Sequence, residues 1–104
     1  MMEKVVLTEE QKEERRQLLL EKAKRSLQIE TADVQHDNYL IDLIDEVVDV
    51  AENRTGITVE VSNFALMGVI VKMVSNKFDD LNAEIDYSEF SPFVQYPMIT
   101  PIRR

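Results

Sequence analysis

The stretch DLIDEVVDVAEN, residues 42–53, decides the fold: apolar residues recur every three or four positions, and all five charged side chains are carboxylates. Projected at about 100° per residue, Asn38, Asp42, Asp45, Glu46, Asp49, Glu52 and Asn53 fall within an arc of about 120°. The apolar residues between Tyr39 and Ala51 fill the remainder. The pattern predicts an amphipathic helix with a wide buried face and a narrow acidic one. Local energetics do not account for the acidity, because Asp42/Asp45, Asp42/Glu46, Asp45/Asp49, Glu46/Asp49 and Asp49/Glu52 are like charges at neighbouring helical positions, each pair costing roughly 0.2–0.5 kcal/mol. Asp49 and Glu52 also lie near the helix C-terminus, which disfavours anions. Either cations elsewhere in the fold answer this face, or it meets something that should not adhere to it.

Working outward, Thr8-Glu9-Glu10-Gln11 has capping-box spacing and predicts a first helix from residue 9 to about 28. Its first half, EEQKEERRQ, is polar on every side. After the polar connection TADVQHD, Asp37 is the expected N-cap of the acidic helix, and Gly56 its left-handed close. In ITVEV, Ile57, Val59 and Val61 alternate with Thr58 and Glu60, which predicts a short extended segment. Ser62 or Asn63 caps a third helix, FALMGVIVKMVSNKF, so apolar from Phe64 to Val74 that two other helices should leave part of it uncovered. Phe64, Met67, Ile70, Val71 and Val74 are therefore the expected subunit interface. The last stretch holds Pro92, Pro97 and Pro101, spaced too closely for a regular helix from about residue 91. Phe93, Val94, Tyr96, Met98, Ile99 and Ile102, ending in Arg103-Arg104, instead suit an extended arm that docks on another surface. The fold class is thus all-α: a small three-helix domain over residues 1–90, with a short extended segment and an extended proline-containing arm over 91–104.

The formal net charge is −8, and its distribution is uneven. Residues 1–30 carry seven acidic and seven basic side chains, 31–61 carry eight and one, and 62–104 carry five and four. An acidic chain of this kind does not suit nucleic-acid binding by phosphate neutralisation. With no cysteine, disulfides, thiolate zinc sites and cysteine nucleophiles are excluded, and an intracellular origin is compatible. His36 is the single histidine and is expected at the surface. Two glycines cannot build a phosphate loop, and no serine sits in a nucleophile elbow. The expectation is therefore no enzyme, no cofactor and no metal site, in a soluble protein without a signal peptide or membrane span.

Residues 24–56, KRSLQIETADVQHDNYLIDLIDEVVDVAENRTG, resemble the head-to-tail connector (adaptor) proteins of tailed bacteriophages. The matching positions are Leu27 and Ile29 at the end of one helix, then Asp37, Leu40, Leu43 and Ile44, then Thr55 and Gly56. The apolar helix after Gly56 is also in place. The resemblance implies a dodecameric ring, a homo-oligomer below the portal protein that extends the DNA channel toward a downstream stopper or tail-completion protein. Assembly would occur in the host cytoplasm, and the mature location would be the phage neck. On that model Asp42, Asp45, Asp49 and Glu52 line the channel, where DNA passes without specific binding, and the C-terminal arm docks on the portal. Many members carry a short closing helix near the C-terminus, where the prolines of this chain favour an extended arm.

Two other accounts of the acidic face compete. It is an ordinary solvated face, or one neutralised by Lys12, Arg15, Arg16, Lys22, Lys24 and Arg25 of the first helix. Alternatively, the chain is an acidic interaction or regulatory module, such as a DNA mimic occupying a basic partner. A mimic needs carboxylates spread over a surface, whereas here they form one stripe.

Overall fold

The computed structural model describes residues 6–80, 82 and 84–94. Among these the chain is all-helical: α1 (Glu9–Ser26), α2 (Asp37–Thr55), α3 (Phe64–Asp79) and a 3-10 helix (Tyr87–Phe93). Helix α1 begins at the expected capping box, where Thr8 Oγ1 accepts from the Gln11 amide at 3.1 Å and Gln11 Oε1 accepts from the Thr8 amide at 2.8 Å. It ends two residues earlier than the sequence pattern predicts. Gln28 takes a left-handed φ of 62°, and the Gln28 and Ile29 amides turn back to the Arg25 and Lys24 carbonyls at 3.1 and 2.8 Å. This is a Schellman close with a non-glycine residue at the left-handed position. It folds Ile29 onto the core and starts the turn toward α2.

Helix α2 is capped at its N-terminus by His36 without a side-chain hydrogen bond, so the expected Asp37 cap is not made. Asp37 instead lies in the first turn, and its carboxylate reaches Lys24. Gly56 closes the helix in the left-handed conformation, φ 74°, as its position predicts. Asn63, one of the two expected caps, accepts the Leu66 amide at 3.2 Å and starts α3.

The three helices pack against each other in every pairing. Leu19, Leu20 and Ala23 of α1 meet Leu40, Leu43, Ile44, Val47, Val48 and Ala51 of α2, with Leu66, Met67, Ile70, Met73 and Val74 of α3 closing the core. Each large side chain so buried contributes about 1.5–3 kcal/mol. A fourth layer was not expected. The 3-10 helix inserts Phe90, 1% exposed, into the core, with Tyr87 and Phe93 packed beside it. Asp86 caps this helix by accepting from the Ser88 amide at 3.0 Å and the Ser88 hydroxyl at 2.6 Å. Pro92 fits inside it because the fixed proline φ suits a 3-10 turn. The helical part therefore extends past residue 90 to Phe93, and an extended arm has to begin later than residue 91.

That extra layer corrects the expected subunit interface. Met67, Ile70 and Val74 are fully buried in the chain's own core, which α1, α2 and the 3-10 helix close around α3 together. Phe64, 73% exposed, and the half-buried Val71 remain at the surface.

Candidate functional site

The acidic face of α2 divides into an edge turned inward and a row turned outward. At the inward edge, Glu52 Oε2 accepts the Val59 amide at 3.0 Å and the Arg15 Nη1 at 3.3 Å. The same Arg15 nitrogen donates to the Val59 carbonyl at 3.1 Å. The Arg15 and Glu52 side chains are only 12% and 24% exposed. This clasp explains why ITVEV forms no strand. Val59 is buried and its amide and carbonyl need partners; one glutamate and one arginine take the place of a neighbouring strand. Glu52 thus holds the fold together, in addition to standing on the acidic face.

At the next residue of α1, Arg16 grips Asp45 with two hydrogen bonds, Nε to Oδ1 at 3.0 Å and Nη2 to Oδ2 at 3.3 Å. Arg16 also reaches Glu13 at 2.8 Å, and Gln17 donates to the second Glu13 oxygen at 2.8 Å. The Asp45 hydrogen bonds raise the Arg16 pKa above its ordinary value. The Gln17 hydrogen bond, followed by Arg16, lowers that of Glu13. Asp45 is therefore neutralised within the chain. A third pair, Lys24 and Asp37 at 2.8 Å, is the most buried: the Lys24 side chain is 3% exposed, and its ammonium also donates to the Thr31 carbonyl at 3.0 Å. It ties the α1–α2 connection down and borders a cavity of about 290 Å³ lined also by Gln17, Leu18, Leu20 and Glu21. Since Lys24 is already matched in charge, the cavity presents no net cation to an anionic ligand.

The outward row is the remainder of the face. Asp42 has no hydrogen bond or ion pair among the described residues, and Asp49 accepts only a 3.5 Å hydrogen bond from Asn53. Glu46, at the other margin, lies near Tyr87. Burial, then the Glu46 charge, raises the Tyr87 pKa above its ordinary value, while Arg54, 5.2 Å from the ring centre, opposes the rise. Of the four carboxylates expected on one channel-facing surface, Asp42 and Asp49 point to solvent, and Asp45 and Glu52 are engaged by α1.

A second surface lies where α1 and α3 meet. A shallow groove of about 350 Å³ is lined by Lys22, Arg25, Ser26, Gly68 and Val71, with the exposed Phe64 and Ala65 on the same helix about one turn before Gly68. The sequence pattern named Phe64 and Val71 as interface, but placed Lys22 and Arg25 among the cations that could neutralise the acidic face of α2, whereas they line this groove with α3. His36 is at the surface as expected, its ring edge-on to Phe78 at 5.3 Å, with Tyr39 on the same phenylalanine at 5.9 Å. Among the described residues no group of three or more His, Asp or Glu side chains could hold a metal ion, and no helix is long and apolar enough to cross a membrane.

Of the expected docking arm, Phe93 is half-buried against its own core, which removes it from an outward-facing arm. Val94 leaves the 3-10 helix in an extended conformation and half-buried. Tyr96, Met98, Ile99, Ile102, Arg103 and Arg104 lie outside the described residues. Comparison with protein-family models, with curated proteins and with solved structures gives no match for this chain.

Proposed function

We propose that this chain is a structural component of a tailed-bacteriophage virion, a connector that joins copies of itself into a ring below the portal and links head to tail. The observation that carries it is the surface α3 leaves uncovered after the domain has closed its own core: Phe64 and Ala65 exposed, Gly68 open, Val71 half-covered. An exposed phenylalanine continuous with an open stretch of helix is the kind of surface that a partner would cover. The order of helices and the short helix at Tyr87–Phe93, where connectors carry a closing helix, support the same reading. The ring is dodecameric, with the portal on one side and a stopper or tail-completion protein on the other, in the neck of the virion. DNA passes through without specific binding, because a chain of net charge −8 as a whole repels phosphates. The function is assembly and not catalysis. The competing DNA-mimic reading loses support, since two of the four stripe carboxylates are matched by arginines and a shorter acidic row is left.

Sedimentation velocity of the full-length chain, alone and with purified portal, tests the proposal. The expected result is a mass that grows with concentration or on adding portal. A monomer under both conditions overturns it.

A further inference from the structure

The groove between α1 and α3 carries cations that the chain does not use. Lys22 makes no ion pair among the described residues, and the ion pair of Arg25 is a loose one, 3.7 Å from Glu21 with both side chains exposed. Gly68 forms part of the same groove in mid-helix, where glycine weakens a helix relative to alanine. A β-carbon built there would meet nothing within 4 Å, so packing inside this chain does not require the glycine. The open position lets another backbone come close. Across the bundle, α2 presents the opposite charge: Asp42 has no partner among the described residues, Asp49 has only the long bond from Asn53, and Glu46, facing Tyr87, stands at the margin of the row.

We propose that this groove receives the outward acidic row of α2, Asp42, Glu46 and Asp49, from a second copy of this chain. The inference rests on the self-assembly reading above and names its two surfaces. Asp42, Glu46 and Asp49 lie at helical spacing i, i+4 and i+7, a row about 10 Å long at 1.5 Å per residue. Lys22 and Arg25 stand one turn apart, about 4.5 Å along α1, so both cations face carboxylates at once. The aliphatic stems of Lys22 and Arg25, with Val71 in the groove and the exposed Phe64 one turn before Gly68, supply the apolar contact beneath the ion pairs. The two surfaces are not self-complementary: α1 and α3 form the groove, and α2 packs against both with the 3-10 helix at one margin, so Asp42 and Asp49 stand on its exposed side, away from the groove. A two-fold dimer cannot satisfy them. Head-to-tail contacts can, and such contacts close into rings when the rotation per copy allows. Asp42 and Asp49 then belong to the joint between subunits and not to the wall of the channel.

Two full-length variants test this by mixing. Lys22→Gln with Arg25→Gln disables the groove; Asp42→Asn, Glu46→Gln and Asp49→Asn together disable the row. Each variant alone should stay folded by circular dichroism and associate at least about tenfold more weakly than the parent, with the parent's association itself falling at high salt. Mixed in equal amounts, they retain one intact groove and one intact row, and the mass should stop at a heterodimer. A parent that self-associates while both variants assemble like it overturns these surfaces and leaves self-assembly standing. A parent that stays monomeric at millimolar concentration, with or without portal, overturns both.

Discussion

Replacing Glu52 with alanine separates a fold-holding carboxylate from a channel-lining one. The structure gives the magnitude. Removing the carboxylate leaves the buried Val59 amide without its acceptor, which costs about 1–3 kcal/mol. It also deprives Arg15, whose side chain is 12% exposed, of its counter-ion; breaking a fully buried pair costs about 3–5 kcal/mol, and the retained bond to the Val59 carbonyl and residual solvent access bring this down to about 1–2. Against these stands relief from like charge at Asp49 and from the helix dipole, together about 0.5–1 kcal/mol. The net loss is about 1–4 kcal/mol, centred near 3, a large part of the stability of a domain this size. In urea this is a midpoint shift of roughly 1–2 M with little change in slope. Glu52→Gln, which keeps an acceptor for Val59, should lose about half as much. A cycle with Arg15→Gln should show a coupling of about 1 kcal/mol or more. If Glu52→Ala unfolds within about 0.5 kcal/mol of the parent, the value for an ordinary surface position, the clasp is not holding the ITVEV segment and the reasoning fails.

Asp37→Asn should cost about 2 kcal/mol or more by chemical denaturation, because it leaves the 3%-exposed Lys24 ammonium without a counter-charge. Gln28→Gly should raise stability by up to about 1 kcal/mol in the same assay, since glycine takes the left-handed φ of 62° without steric penalty. Tyr87 should titrate above its ordinary value when followed by near-ultraviolet absorbance. Its folded pKa is raised, so the neutral phenol is favoured in the fold. Its contribution to stability is full below the unfolded value of about 10 and is lost as pH rises from there through the folded pKa, and Tyr87→Phe should abolish that part of the alkaline loss. Ile70→Asp or Val74→Asp should unfold the chain itself and not merely block assembly, because both positions are in its own core; loss of the helical circular dichroism signal is the check.

The helical elements were legible because each has its own local chemistry: the Thr8–Gln11 box, the Gly56 close and the Asn63 cap are set by residues three or four positions apart. The division of the acidic face was only half visible. At about 100° per residue, Asp45 and Glu52 sit roughly 20° and 40° to one side of Asn38, while Asp42 and Asp49 sit roughly 40° and 20° to the other. The period thus puts Asp45 and Glu52 nearest one apolar border, but which border lies against α1 depends on Arg16 and Arg15, 29 and 37 residues away, and no local signal fixes that pairing. What satisfies the ITVEV segment was hidden for a related reason. Its alternation is real, but with no strand to pair with, side chains satisfy Val59 instead. The 3-10 helix escaped notice because Pro92 reads as a helix breaker, whereas the signal that would have found it was Asp86-Tyr-Ser88, a side-chain turn two residues long followed by a phenylalanine. The short span of that turn also explains why Phe93 went to the arm when it packs on the core.

Images of the full-length chain bound to purified portal test the connector account most directly. The account predicts a twelve-fold ring of this protein stacked on one end of the portal, with a continuous central channel and with neighbouring copies joined through α2 of one and the α1–α3 groove of the next. Bare portal particles beside free monomer, or a complex with no rotational symmetry, would contradict it.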